Sequence, residues 1–482
     1  MDNAKLSRII KDLREKSTDT QDVEVKESVK KLPSSIVETL SAFSNGSGGI
    51  IVLGISEASN FAPASGFNAK RTADALAQTC SDKLTPPVRA SIEILDFEQS
   101  EVVVASVEEM VPRDKPCYVT DRGAYRGSYI RSFDGDRKLS TYEIDRLLED
   151  KAQPHHDVEI VPDATLKDLD EELLSAVIAR QKKLHPRVFG GESDEEIMIS
   201  LRIAAFDGEE LKPTLAGLLA LGIYPQKYFP RLTATFTAYA GVDKSASHSV
   251  KFLDNEKMVG SIPAIIADTV FAVRKNICTG GVMDGVLRKD APDYPEVAIR
   301  EAVCNALMHR DYSPMSRGTQ VQVNLYADRL EFLSPGGLYG TVTTETIGEA
   351  GYSSTRNEYL ADILESTPYE GGFVAENRGT GYKLMKQELI AIGAPAPIVK
   401  DSISMFALTF KKKPEFTVQE SIFDDVLSYI SINGPCPTID IANALEIPRS
   451  TLSYRLKKLI NEGAVERIGA TKSRNQKYRI KI

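Results

Sequence analysis

The sequence predicts a multidomain α+β protein, and three observations carry that expectation. Short strand-like apolar runs alternate with stretches of helical i, i+3, i+4 spacing through most of the 482 residues. Two stretches without periodicity, 152–157 and 411–415, divide the chain into blocks 1–152, 163–412 and 417–482. The last block then changes pattern, to three helices followed by a hairpin. A chain of this length can hold about three domains, each with its own core.

In order, the first block opens on Leu6, Ile9, Ile10 and Leu13, spaced for a helix. Val23–Lys26 reads as a strand and Ser34–Phe43 as a helix. Gly49–Ile55 reads as a strand covered on both faces, because its apolar run does not alternate. Val102–Val107 is a further strand and Thr141–Glu149 a closing helix. The segment 152–157 reads as a linker, with His155 and His156 as exposed loop residues lacking further metal ligands. The second block begins with helices near Leu166–Lys183 and Thr214–Leu221, and the basic run at 411–413 reads as a solvated hinge.

Composition narrows the function. A charged fraction of 26% and a hydrophobic fraction of 42% are ordinary for globular protein. No apolar run has membrane-helix length, and the polar start is no signal peptide, so no membrane partner and a cytoplasmic location are expected. The five cysteines are scattered, with no Cys-x-x-Cys, which predicts neither a disulfide framework nor a zinc site. A net charge of −9 confines any nucleic-acid contact to a local patch. A P-loop is absent, which excludes a P-loop helicase.

Two segments point to a nucleotide. Glu301-Ala-Val-Cys-Asn305-Ala-Leu-Met-His309-Arg-Asp311-Tyr places Glu301, Asn305 and His309 along one helical face. An amide oxygen there can ligate Mg²⁺, and a carboxylate can accept a proton from an attacking water. Farther on, Arg378-Gly379-Thr380-Gly381-Tyr-Lys383 sets glycines before an apolar helix, where bare N–H groups can face phosphate and the two cations neutralise it. With Ser334-Pro-Gly336-Gly337 and Arg356-Asn357, the stretch from about Leu211 to Lys412 resembles a family of transcriptional regulators. Their C-terminal half, often labelled a helicase C-terminal region, is related to the gyrase/histidine-kinase (GHKL) ATPase sandwich. The resemblance implies a Mg²⁺ ligand in Asn305 and a general base in Glu301. His309, Ser334, Gly336, Arg378, Gly379, Thr380, Gly381 and Lys383 would then complete the site for ATP or a related nucleotide. Ser334 stands where that fold places an adenine-reading Asp, and a hydroxyl accepts that hydrogen bond without charge assistance. Weakened adenine selectivity and weak or no hydrolysis follow.

The first block carries Glu24-Val-Lys26-Glu-Ser28, Ala42-Phe43-Ser-Asn45, Gly48–Glu57 and Tyr125-Arg126-Gly127-Ser128. These resemble the Schlafen-type AlbA-like α/β domain, some members of which cut RNA with three carboxylates. Asp19, Glu24 and Glu57 occupy the matching places, and around a divalent metal they could activate water. The first is Asp where the family usually has Glu. The alternative reading is that these acids pair with Lys26, Arg126 or Arg131, and that Arg126, Arg131, Arg137 and Lys138 bind a nucleic-acid backbone or support assembly.

In the third block Ile422, Val426, Tyr429 and Ile430 mark one helix, broken by Gly434-Pro435. Thr438–Leu445 is a second, and Arg449–Ile460 a third with Leu452, Leu456 and Leu459 inward. Alternation at Val465–Ile468 and at Tyr478 to Ile482 makes a hairpin, giving a winged helix-turn-helix. Its third helix offers Arg449, Ser450, Thr451, Ser453, Tyr454, Arg455 and Lys458 outward, and the wing offers Lys472 and Arg474. From Arg449 onward ten Lys/Arg face two acids, a local +8 in an acidic chain. The whole reads as a DNA-binding transcriptional regulator, homodimeric on double-stranded DNA, with a nucleotide-binding middle domain. The alternatives are a nucleotide-switched, metal-dependent nuclease of RNA or single-stranded DNA, and a GHKL-type ATPase.

Overall fold

Period-two alternation decides how the N-terminal strands are covered. Val52, Val102 and Val104 share one core with Leu6, Ile10 and Leu13 of the Asn3–Lys16 helix. Ile51, Leu53, Val103 and Ala105 point the other way, into a core with Leu40, Phe43 and Leu76 of the Ile36–Asn45 and Ala69–Asp82 helices. The sheet runs Val23–Lys26, Gly49–Leu53, Ser100–Val107, Ser91–Phe97. Its first pair is parallel and the others antiparallel. The computed structural model describes residues 1–16, 18–132, 135–244, 252–277, 279–284, 287–369, 371–375, 379–413, 426–427, 429–430, 433–445, 447–461, 464–468 and 476–480. They form two compact units, Met1–Lys412 and Lys413–Ile482.

The rest of the first unit is built on a six-stranded sheet. Its order is Asp254–Met258, Ala234–Ala238, Val321–Leu325, Arg329–Pro335, Met405–Lys411, Ile398–Ser402, with one parallel pair, Ala234–Ala238 on Val321–Leu325. Ala234, Phe236, Val323, Leu330, Phe332 and Phe410 enter one core with the Ile262–Asn276, Glu296–Met308, Glu358–Ser366 and Gly381–Ala391 helices. The alternating polar positions, Thr235, Thr237 and Glu331, stay off it. The expected helix near Leu166–Lys183 divides. A capping box closes the turn Leu166–Asp168, and Asp170 then caps a new start, so the long helix is Glu171–Leu184.

The segment 152–157 is no free linker. Gln153 Nε2 donates to the carbonyls of Thr355 (3.2 Å) and Arg356 (2.8 Å). Asp157 is fully buried and accepts from the backbone N–H of Tyr359 (3.0 Å) and Leu360 (3.2 Å), satisfying orphan donors at the start of the Glu358–Ser366 helix. His155 is exposed, but His156 is half-buried between Glu149 (2.5 Å) and Glu159 (2.6 Å). Beside this segment, Arg146 Nε meets Asp311 Oδ2 at 3.1 Å, and Arg356 meets Asp150 Oδ2 at 3.0 Å, all four side chains buried. A loop pattern in sequence had become a docked seam because its polar groups bind backbone across it.

In the second unit the Thr438–Ala444 and Arg449–Asn461 helices pack Ile441, Leu452, Leu456 and Leu459 with Val426, Ile430, Val465 and Tyr478. Val465–Ile468 pairs antiparallel with Lys477–Ile480, which also pairs with Cys436–Pro437. This is the expected winged-helix pattern over the described residues.

Candidate functional site

The Glu296–Met308 helix is fixed at its C-terminal end by groups that take its last carbonyls. Ser334 Oγ donates to Ala306 O (2.7 Å), Tyr312 Oη to Leu307 O (2.8 Å), and Asn357 Nδ2 to Met308 O (2.9 Å). With Ala298, Ala302, Val303 and Leu307 sunk in the core, Glu301 and Asn305 are left to line a cavity of about 610 Å³. His309, Ser334, Gly336, Gly379, Thr380 and Gly381 line the same cavity, so the two sequence segments do meet. Asn305 Nδ2 donates to Glu301 Oε1 (3.0 Å) and to Glu301 O (2.8 Å). Asn305 Oδ1 has no hydrogen bond among the described residues. A Cβ built on Gly381 would overlap Glu301 Oε1 and lie 2.9 Å from Asn305 Nδ2. Glycine there lets the second helix start against the carboxylate. Gly379 takes a left-handed φ of +67°, which a side chain would strain.

Other expected ligands behave differently. Lys383 is exposed and is not among the residues lining the cavity. A helical residue two places after Gly381 is turned well away from it, which explains the miss. Arg378 lies outside the described residues. Burial, with Arg356 next in effect, pushes the His309 imidazole down to about 4, so it is neutral near pH 7 and adds no charge for phosphate. Ser334 spends its proton on Ala306, and only its lone pairs remain for a ligand.

Two cations in the lining, Arg180 and Arg300, were not anticipated. Arg180 comes from the distant Glu171–Leu184 helix, where nothing in the sequence marks it. Arg300 stands beside Glu301, which is the one local hint. The Arg356-Asn357 and Arg310-Asp311 pieces of the motif prove to be braces. Arg310 is buried and donates to Ser316 O (3.0 Å) and Thr319 O (2.8 Å), while Arg356 holds His309 O (3.3 Å) and Gly337 O (3.2 Å).

In the N-terminal domain Glu24 is buried with Lys26 at 2.6 Å on one carboxylate oxygen and Arg131 at 2.7 Å on the other. Asp19 is buried too, accepting from Val25 N–H (3.3 Å), and burial followed by repulsion from Glu24 pushes it up to about 7. Glu57 is exposed at the start of the turn Glu57–Ser59. No three acidic, His or Cys side chains gather as a metal-holding group among the described residues. Glu24 is thus ion-paired, as the alternative reading expects, while Asp19 and Glu57 are not among the described residues, and Glu57 stands near enough to raise Asp19 further.

On the Arg449–Asn461 helix, Arg449, Ser450, Ser453, Tyr454 and Lys458 are exposed and Thr451 half-exposed. Arg455 is a correction. It is only 4% exposed, because a residue three after Leu452 and four before Leu459 falls on the buried stripe. Lys472 and Arg474 lie outside the described residues.

Family models match four stretches of this chain. Residues 19–140 match the Schlafen AlbA_2 domain, and 318–410 match the family described as "Putative ATP-dependent DNA helicase recG C-terminal". Residues 425–466 match a winged helix-turn-helix DNA-binding domain, and 145–234 a domain of unknown function. The chain therefore carries a Schlafen AlbA_2 domain, a RecG-C-terminal-like domain and a winged helix-turn-helix. Ser334, Gly336 and Gly379–Gly381 fall inside the RecG-C-terminal-like match, while Glu301 and Asn305 precede it. No curated protein matches the chain. It is similar to the DIP2311 protein from Corynebacterium diphtheriae, at 16% identity over 95% of each chain with a TM-score of 0.38. The N-terminal domain of a RecG-related protein from Nitrosomonas europaea is 21% identical over 27% of this chain and 91% of its own, with a TM-score of 0.23. No described helix is long and apolar enough to cross a membrane.

Proposed function

We propose that this protein is a DNA-binding transcriptional regulator whose middle domain binds ATP or a related nucleotide with Mg²⁺. The observation that carries the reading is the convergence of Glu301, Asn305 and Gly381 on one cavity in a chain that also bears a winged helix. The residues fit the group. Asn305, its amide nitrogen committed to Glu301, has Oδ1 left to hold the metal, and the Gly379–Gly381 backbone opens the second helix toward a phosphate. The ion would supply charge neutralisation for the phosphates. Glu301 is placed to accept a proton from water, and its hydrogen bond from Asn305 orients it. The winged helix supplies DNA contact through Arg449, Ser453, Tyr454 and Lys458, and two-fold operators make a homodimer the natural state.

Calorimetry with ATP, ADP and GTP, with and without Mg²⁺, tests the pocket. Asn305→Ala should lower affinity with Mg²⁺ present and change it less in EDTA. Deleting 417–482 should abolish DNA binding and spare nucleotide binding. No nucleotide binding at millimolar concentration would sink the pocket reading, and unchanged DNA affinity after the deletion would sink the regulator reading.

A further inference from the structure

His309 lies nine positions after Arg300 along the Glu296–Met308 helix and its cap, a span of about 13 Å. The cavity therefore has a direction. Its His309 end carries Ser334 and Gly336, a neutral imidazole and a hydroxyl with no cation in the lining among the described residues. Its other end carries Arg300. One short hairpin serves that end: Pro368–Tyr369 pairs with Gly372–Phe373. The Arg180 guanidinium sits 3.3 Å from the Phe373 ring centroid, and the Arg300 guanidinium 6.0 Å from the Tyr369 centroid. Stacking on Phe373 fixes the plane of the Arg180 guanidinium while leaving its N–H edge for a ligand, whereas Arg300 makes only a longer cation–π contact. Neither arginine has a carboxylate partner among the described residues, and Arg180 Nε is buried with no hydrogen-bond partner.

We infer that Arg180, with Arg300, forms the anion end of the cavity and holds the terminal phosphate of a nucleotide laid along this helix. The inference rests on the nucleotide reading and deepens it. A planar fork matches phosphate oxygens two at a time, which a lysine point charge does not. Among the described residues the lining also carries Glu301 and Glu365, which offset Arg180 and Arg300, and the divalent ion supplies the further positive charge a triphosphate calls for. Because Arg180 lies on the Glu171–Leu184 helix, the site is completed by a segment outside the 318–410 match.

The test is calorimetry of the full chain and of Arg180→Ala and Arg180→Lys, each with Mg-ATP, AMP and inorganic tripolyphosphate, with circular dichroism confirming the fold. Arg180→Ala should weaken Mg-ATP and tripolyphosphate by about tenfold or more while AMP affinity stays unchanged. Arg180→Lys should recover only part of the loss. Equal losses for ATP and AMP, or an unchanged ATP affinity, would overturn the assignment and leave the nucleotide reading standing. Arg180-dependent binding of tripolyphosphate without any nucleotide binding would keep the anion site and remove the nucleotide reading. Binding of none of the three would remove both.

Discussion

Gly381 shows how tightly one residue ties the two halves of the site together. Its missing side chain is the space that the Glu301 carboxylate occupies, so Gly381→Ala forces either Glu301 or the start of the Gly381–Ala391 helix to move. Overpacking of this kind costs about 1–3 kcal/mol. The expected outcome is a modest fall in melting temperature and a loss of nucleotide affinity of about tenfold or more, read by calorimetry. A variant that melts lower yet binds nucleotide normally would show the contact to be packing alone. His309 permits a test by pH. Its folded pKa of about 4 lies below the ordinary imidazole value of about 6.5, so the unfolded chain takes up a proton first as pH falls. That contribution is intact above about pH 6.5 and shrinks by up to about 1.4 kcal/mol per unit down to pH 4. Asp19, raised to about 7, acts in the opposite sense, losing stability as pH rises through the same window. The informative quantity is therefore the difference between the parent chain and His309→Gln. That difference should move against the parent on acidification, and a flat difference would refute the lowered imidazole pKa. Glu301, Asn305 and the glycines were legible in sequence because their spacing is local. Arg180 was not, because only folding brings its helix to the cavity.

At the scale of elements, the described part of the winged helix was legible, since its helices and strands carry their own period and stop signals, while Ile422 of the expected first helix and the wing turn lie outside the described residues. The exception is instructive. Arg455 looks like a DNA-facing cation by type, but the stripe through Leu452, Leu456 and Leu459 places it inside. Charge alone does not assign a face; phase does. Long aliphatic stems let an arginine enter a core, so its chemistry did not forbid the position. Replacing exposed Lys458 by Ala should weaken binding to all DNA sequences alike and reduce the log–log salt slope by about 0.9 per lost phosphate contact. Arg455→Met should leave that slope unchanged and act on the stability of the Lys413–Ile482 unit instead. Filter binding across a salt series, set beside thermal melts, separates the two. Equal slope changes for both variants would return Arg455 to the DNA face.

At the scale of the whole molecule, the buried ionic seam is what the sequence could not show. Arg146 and Asp150 belong to the N-terminal side and Asp311 and Arg356 to the six-stranded side, and pairs between them depend on docking, not on spacing. Lys115 and Glu109 form a further buried pair at 2.8 Å, and Glu109 reaches Thr344 at 3.0 Å on the other side. Burial alone would raise Asp311, but Arg146, Ser316 and Arg356 outweigh it and hold it below the ordinary carboxylate value. Its contribution is then complete above about pH 4 and is lost as pH falls through the lower folded value. Removing one member of a buried pair leaves the other charge uncompensated, at about 3–5 kcal/mol. Asp150→Asn should cost that much, because Arg356 has its carboxylate there. The same guanidinium holds His309 O and Gly337 O at the cavity wall, so nucleotide affinity should fall as well, although Asp150 does not line the cavity. Since the seam joins the four-stranded and six-stranded halves of the Met1–Lys412 unit, denaturant melts followed at probes on either side should shift together. Two separate transitions, with only the N-terminal one moved and nucleotide binding untouched, would show that the seam fastens the domains without bracing the site.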